Sequence, residues 1–423
     1  FQCNGALKGA KLYHKAPLMI AKEVVEVLQE KEIFLAVEAV GCGFINMTLT
    51  EMYLMEWADR VNMDENLGIP QTDVPETILL DYGGPNVAKP LHIGHLRSAI
   101  IGESLKRLVK ATGRTAISDV HLGDWGLQMG LVIAELQERN PEWKCFEDDF
   151  DAACDRIPAL TADRLNEIYP FASKKSKEDS DFKRKAQTIT ARLQKGQAGY
   201  LALWKEIIRV SVGDMKKSYQ KLNVDFDFWY GESDSEKYVD ELIDRLKDQK
   251  LLYKSEGALV VDVAEESDKA EIPPIIIKKT DHSNIYATTD LATIIQREKD
   301  FSPNQLWYVV DSRQSLHFTQ VFRCAKKAGL VPPTTSLEHL GFGTMNGSDG
   351  KPYKTRDGGV MPLSELFEKV LDTAYERVKS SDYSDDEAKP EVAKKIAVAA
   401  IKFGDLINHR SKDYIFDMDK FLA

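Results

Sequence analysis

The chain has 423 residues, too many for a single hydrophobic core, so two to four domains are expected. Apolar residues at 43% and charged residues at 29% are the balance of a soluble globular protein, and a net charge of −11 excludes a uniformly basic coat for nucleic acid while leaving room for a local basic groove. Five scattered cysteines (Cys3, Cys42, Cys145, Cys154, Cys324) without CxxC spacing argue against a zinc site and for reduced thiols in the cytoplasm, and no apolar run reaches the ~20 residues of a membrane helix.

Residues 1–72 read as a small α+β unit. Helical periodicity from Ala16 to Leu28 leads into Ile33–Val40 and then Gly43–Leu49, which alternates like a strand. From about 75 to 133 the pattern is strand, helix, strand. Ile78–Tyr82 precedes a helix that runs to Thr112, and Thr115–Val120 follows, ending in His121-Leu122-Gly123-Asp124-Trp125-Gly126. Such a βαβ unit predicts a parallel, doubly wound sheet with ligands at the carboxyl ends of its strands.

The turn between the first of those strands and its helix carries Pro85-Asn86-Val87-Ala88-Lys89-Pro90-Leu91-His92-Ile93-Gly94-His95-Leu96-Arg97-Ser98. Free backbone N–H groups and the helix dipole make a helix start after a sharp turn a ready anion site. His92 and His95, three residues apart, share one face of the first turn. Gly94 removes a side chain where a flat ring would press against the backbone. The arrangement suits a nucleoside triphosphate with its α-phosphate under the two histidines.

Residues 134–270 are largely helical and charged, with lysine-rich runs at Lys174–Lys177 and Lys183–Lys185 that read as a solvated face. Val260–Val263 and Ile275–Lys278 are expected as strands returning to the parallel sheet. A helix begins near Ile285–Asp290. Leu306–Asp311 is a buried strand ending in Ser312-Arg313-Gln314, and a further strand lies around Glu338–Phe342. The glycine-rich segment Met345–Gly359 carries Lys351, Lys354 and Arg356. Beyond Pro362 the chain is helical, with Ile396–Ile401 as a buried helix segment. The first residue is Phe1 and the last element stops without a tail, so the chain is expected to be a portion of a longer protein.

His92-Ile93-Gly94-His95 matches the HIGH motif of class I aminoacyl-tRNA synthetases, and the wider string PNVAKPLHIGHLRS resembles arginyl-tRNA synthetases, the bacterial type most closely. The resemblance implies a Rossmann-like catalytic domain at 73–345 with a helical insertion at about 134–270. It also implies a small N-terminal α+β domain at 1–72, a phosphate loop and connecting region at 346–380, and the start of a helical anticodon-binding domain at 381–423. The GFIN phrase at Gly43–Asn46 resembles the family's additional N-terminal domain, which contacts the outer corner of tRNA. The insertion helps seat the acceptor end. Ile407–Asp417 resembles the entry to the anticodon-binding bundle.

The ligands implied are ATP with Mg2+, L-arginine and tRNA(Arg), handled by a cytoplasmic monomer with no membrane contact and no resident metal. Amino-acid activation is attack of a carboxylate on the α-phosphorus of ATP, so positioning and positive charge supply the acceleration. His92 and His95 are expected to donate to the α-phosphate, with Gly94 and Gly341 beside the nucleotide. Most class I synthetases use the second lysine of a Lys-Met-Ser-Lys-Ser loop, and this chain has no such string. Its glycine-rich segment resembles the loop of bacterial arginyl enzymes. Lys354 is the expected catalytic cation, Lys351 accompanies it at the phosphates, and Lys89 compensates.

For the substrate side chain, a guanidinium presents five donors in a rigid fork that carboxylates and a hydroxyl match. Family residues at the positions of Asp81, Tyr286 and Asp290 line the arginine pocket, and those at Asn86 and Gln314 hold the α-amino group. His317 and Gln320 are expected to line the site. Such a polar pocket rejects analogues lacking the matching donors by roughly ten-thousand-fold. A cysteinyl enzyme would need a zinc set of cysteines, a glutamyl enzyme would need arginines in the pocket, and a silent RNA-binding paralogue would have lost a histidine or the acids. Arginyl enzymes need tRNA to activate arginine. This stretch is therefore expected to bind ATP and arginine weakly and to charge tRNA poorly or not at all.

Overall fold

A computed structural model describes residues 1–278, 286–347, 349–350, 361–381 and 385–417. Two compact units divide the chain, Phe1–Thr72 and Asp73–Ala423.

In the first unit Pro17 sits at the first helical position, where its missing N–H costs nothing, and starts the helix Pro17–Gln29. Ala21 and Val25, four residues apart, turn inward from that helix and meet Ala6, Val37 and Ile45 in a small core. Phe34–Val40 and Phe44–Leu49 pair antiparallel across a tight turn, and Gln2–Cys3 adds a third strand. The helix Glu51–Met63 buries none of its residues.

The second unit is built on a four-stranded parallel sheet in the order Ser336–His339, Gln305–Val309, Thr77–Tyr82, Thr115–Asp119. Ile78, Leu79, Leu80 and Tyr82 are all buried, as a central parallel strand covered on both faces requires. The helix Leu96–Ala111 returns the chain to the sheet. It turns Leu96, Ala99 and Ile100 inward, spaced at i, i+3 and i+4. The first crossover leads to Thr115–Asp119 on one side of Thr77–Tyr82, and the later one to Gln305–Val309 on the other. The strand order therefore reverses between Thr77–Tyr82 and Gln305–Val309, and a crevice opens at their carboxyl ends.

Long helices follow at Leu127–Arg139, Ala162–Glu178, Ser180–Gln194 and Ala198–Lys221. The lysine-rich runs lie on two of them, where Lys175 and Lys185 both reach Glu138. One expectation fails. Ala258–Val261 and Ile275–Lys278 do not return to the parallel sheet; with Leu252–Ser255 they form a separate three-stranded antiparallel sheet. Short apolar runs specify a buried strand but not its partner, and the tight turn at Glu256-Gly257 (φ +50° and +83°) closes a local hairpin first. The helices Leu363–Lys379 and Lys389–Leu406 close the unit, and the second packs on Leu96–Ala111. Of the segment Ile396–Ile401, Ala397 and Ile401 are buried while Ile396 is 44% exposed.

Candidate active site

Two adjoining cavities lie at the crevice. The first, about 280 Å³, is lined by Asp81, Gly83, Gly94, His95, Ser98, His121, Asp290, Tyr308, Asp311 and Phe318 among others. The second, about 600 Å³, is lined by Asn86, Lys89, His92, Gly94, His95, Arg97, Gln314 and the stretch Phe342–Met345. Gly94, His95, Asp311 and Phe342 border both.

The histidine pair is set by its own backbone. His92 caps the short helical turn Ile93–His95. Its Nδ1 accepts the Gly94 N–H at 3.0 Å, and His95 Nδ1 accepts the His92 N–H at 3.1 Å. A Cβ on Gly94 would stand 2.8 Å from the His92 ring, so glycine here makes room for its neighbour's imidazole. The rings lie 4.0 Å apart, centroid to centroid. Burial lowers the pKa of His92 to about 4, helped by Lys89, and that of His95 to about 3, helped by His92 and Lys89. Both rings are thus neutral near pH 7. A backbone N–H only donates, so each Nδ1 is an acceptor and each Nε2 carries the ring proton. The result is two neutral N–H donors held on one helical turn.

Ser98 locks that helix to the crevice, accepting from Gly83 N at 2.8 Å and donating to the Val309 carbonyl at 2.7 Å. On the neighbouring turn Asn86 pairs backbone-to-backbone with Gly123 of the GDWG loop, and a Cβ on Gly123 would stand 2.1 Å from Asn86 Oδ1. Ala88, just before Lys89, holds φ +62°, a strained value for a non-glycine residue. Asp124 of the same loop is buried and accepts from Ser233 N and Oγ, which fixes the turn at Gly231.

The acids sort differently from the sequence reading. Asp81 borders the smaller cavity, but its Oδ2 accepts from Arg297 at 2.7 Å. Arg297, fully buried on the helix Tyr286–Phe301, also donates to Asp119 Oδ2 at 2.8 Å, and its guanidinium lies 5.3 Å from the Tyr308 ring centroid. Asp290 Oδ2 lies 2.5 Å from His317 Nε2. Tyr286 shares the helix with Asp290 but is 71% exposed and does not border the cavity. Gln320 turns away to the Pro273 carbonyl at 2.8 Å. Gly341 offers its carbonyl to Arg410 beside the larger cavity. Lys351, Lys354 and Arg356 lie outside the described residues.

Glu232 was not anticipated. Burial pushes its carboxyl up to about 7, and it acts electrostatically on Tyr286 while feeling His121, Asp124 and Asp290. Nothing in its local sequence marks it, because it comes beside the GDWG loop from a short helix more than a hundred residues past the HIGH turn (Leu122↔Gly231). Asp119 and Arg297 were missed for different reasons. Asp119 was legible, since strand register puts it opposite Asp81. Arg297 was not, as a helical arginine ordinarily reads as solvated.

Comparison with known proteins places the chain in a family. A family model described as class I (R) tRNA synthetases, catalytic domain, matches residues 60–418, and the arginyl tRNA synthetase N terminal domain matches residues 1–49. The fold is that of the class I aminoacyl-tRNA synthetases. Curated relatives named arginine–tRNA ligase from Alkaliphilus oremlandii and Agathobacter rectalis are each 50% identical over the whole chain and 72% of their own length. One from Francisella tularensis is 44% identical over the whole chain and 71% of its length. Among solved structures, the Plasmodium falciparum arginyl-tRNA synthetase superimposes with a TM-score of 0.73 at 24% identity, covering all of this chain and 70% of that one. The Thermus thermophilus enzyme gives 0.73 at 20% identity over 99% and 71%. The chain belongs to the arginyl-tRNA synthetase family.

Proposed function

We propose that this chain works as an arginine–tRNA ligase in which the larger cavity takes ATP and the smaller one takes L-arginine, the two meeting at Gly94 and His95. The observation that carries this division is the pair of neutral Nε2–H donors beside a cavity bordered by carboxylates. The arginine carboxylate attacks the α-phosphorus, charge builds on the phosphoryl oxygens, and His92 and His95 donate to them as it grows. One such preorganised donor is worth on the order of a hundred- to a thousand-fold in rate. Lys89 supplies nearby positive charge, with Lys351 and Lys354 at the leaving pyrophosphate.

Asp290, braced by His317, takes the guanidinium, with the charge of Glu232 nearby; Tyr286 would have to turn in from solvent to join them. Asp81 shapes the floor while neutralised by Arg297. Asn86 and Gln314, which border the larger cavity, hold the α-amino group near the junction. Magnesium is read as arriving on the ATP phosphates; among the described residues no three His, Cys, Asp or Glu side chains gather as a metal site. No described helix is long and apolar enough to cross a membrane, and all five cysteines are free; we take the enzyme to work in the cytoplasm. We take residues 1–72 and 134–270 as the tRNA-contacting parts, 346–380 as the phosphate loop with its connection, 381–423 as the entry to the anticodon-binding helices, and the enzyme as a monomer.

The test is calorimetric titration of arginine against lysine, canavanine and glutamate, beside ATP–pyrophosphate exchange with tRNA present. Arginine-selective binding and exchange support the assignment. Equal binding of glutamate sinks it.

A further inference from the structure

The buried Arg97 lies two residues past His95 and borders the larger cavity. Its guanidinium is enclosed by a chain segment more than 300 residues away. Nε pairs with Asp405 Oδ1 at 3.0 Å, and the Asp405 side chain has no exposure at all. Nη1 donates to the carbonyls of Gly343 and, at 3.1 Å, Lys412, while Nη2 reaches Arg410 O at 3.4 Å. The Tyr414 ring centroid lies 5.0 Å from the guanidinium carbon, and the Tyr414 hydroxyl donates to Asp405 Oδ1 at 2.8 Å. One planar guanidinium thus gathers a carboxylate and three carbonyls from separate stretches, a geometry lysine cannot reproduce.

The Gly343 carbonyl belongs to a wall of the larger cavity. Phe342–Met345 borders the larger cavity, and the stretch Gly341–Asn346 is bonded along its length to 410–416. Gly343 N donates to Arg410 O at 2.9 Å, Thr344 N to Asp413 Oδ1 at 2.7 Å, Tyr414 N to Thr344 O at 3.1 Å, and Phe416 N to Asn346 O at 2.8 Å. Met345–Asn346 and Tyr414–Ile415 pair as parallel strands. A Cβ on Gly343 would stand 2.3 Å from the Lys412 backbone, so the contact is close packed. The wall therefore rests on the segment that follows the helix Lys389–Leu406, and Arg97 ties both to the histidine turn.

We propose that Arg97, held by Asp405 and Tyr414, is a positioning residue for ATP, fixing the 341–346 wall at its distance from His92 and His95 so that the C-terminal helix Lys389–Leu406 sets the shape of the nucleotide cavity. The inference rests on the reading that ATP occupies this cavity. Misplacement of such a wall by about an ångström is enough to cost up to a hundred-fold.

The experiment uses the full-length enzyme, measuring ATP and arginine KM by pyrophosphate exchange with tRNA present and ATP affinity by calorimetry. Arg97→Lys and Asp405→Asn are each expected to raise the ATP KM about tenfold while the arginine KM changes less than about twofold. The double variant should show much less than the product of the two effects, because both act through one contact. Tyr414→Phe removes a single oxygen and serves where the charge variants melt below the assay temperature; about threefold on the ATP KM is expected. Folded variants with an unchanged ATP KM, or with ATP and arginine KM rising together, overturn the proposal. His95→Ala separates the two levels: should it leave pyrophosphate exchange untouched, the nucleotide reading of the cavity fails whatever Arg97 does.

Discussion

Arg297 donates to Asp81 at 2.7 Å, at the end of the strand where the sequence places an acid for the substrate guanidinium. The protein has given one oxygen of that acid a guanidinium of its own. A second carboxylate, Asp119, completes the cluster, so one buried cation answers two buried anions.

Arg297→Met leaves both carboxylates buried without a cation. Breaking a buried pair by removing one partner costs on the order of 3–5 kcal/mol. Thermal unfolding should show a clear drop in melting temperature, larger than that of Asp81→Asn, which leaves Arg297 its bond to Asp119. A smaller drop for Arg297→Met than for Asp81→Asn would contradict this account.

Asp290→Asn removes the carboxylate that stands open to the smaller cavity. Losing a close charge partner for the guanidinium is worth about ten- to a hundred-fold in arginine affinity. ATP affinity should hardly change, because Asp290 does not border the larger cavity. Parallel titrations with the two ligands read this directly, and equal losses would remove Asp290 from the pocket.

Glu232 gives arginine binding a pH dependence. Its carboxyl is raised to about 7 by burial, so it is largely protonated at pH 6 and ionised at pH 8. A guanidinium favours the carboxylate. Arginine affinity should therefore climb by up to about tenfold in all across that interval, and Glu232→Gln should flatten the climb. A wild-type affinity that is level from pH 6 to 8 would refute it.

His95→Ala should lower pyrophosphate exchange by about a hundred- to a thousand-fold with the fold retained by circular dichroism. The same ring governs acid stability. Its folded pKa is about 3 against an ordinary 6.5, so below 6.5 the unfolded chain takes up the proton first. Its contribution is complete above pH 6.5 and drains away as pH falls toward 3. Melting temperature measured from pH 7.5 to 4 should fall less steeply for His95→Asn than for the wild type; identical slopes would show that the ring is not buried in neutral form.

The chain order of strands and helices, and the turn carrying Asn86 to Ser98, were legible because short-range rules govern them. A strand must alternate or be apolar throughout, a helix must repeat at 3.6 residues, and an anion site needs a helix start. Asp290 and His95 were recognisable by the same route and by family likeness, and the structure brings them to one cavity. The antiparallel hairpin at Leu252–Val261 escaped because an apolar run does not name its neighbour. Gln320 and Tyr286 sit at plausible helical positions but point to a carbonyl and to solvent, directions set by how their helices roll against the sheet.

By itself the sequence determined that a parallel sheet presents a histidine-bearing helix start to a ligand, since every residue of that device lies within some forty positions of chain. Tertiary structure alone decided which charges remain free to meet a substrate. Arg297 withdraws Asp81 and Asp119, and Asp405 engages Arg97, across separations of 216, 178 and more than 300 residues. Charges taken out of water must find partners wherever the fold delivers them, and no local pattern along a chain records where that will be.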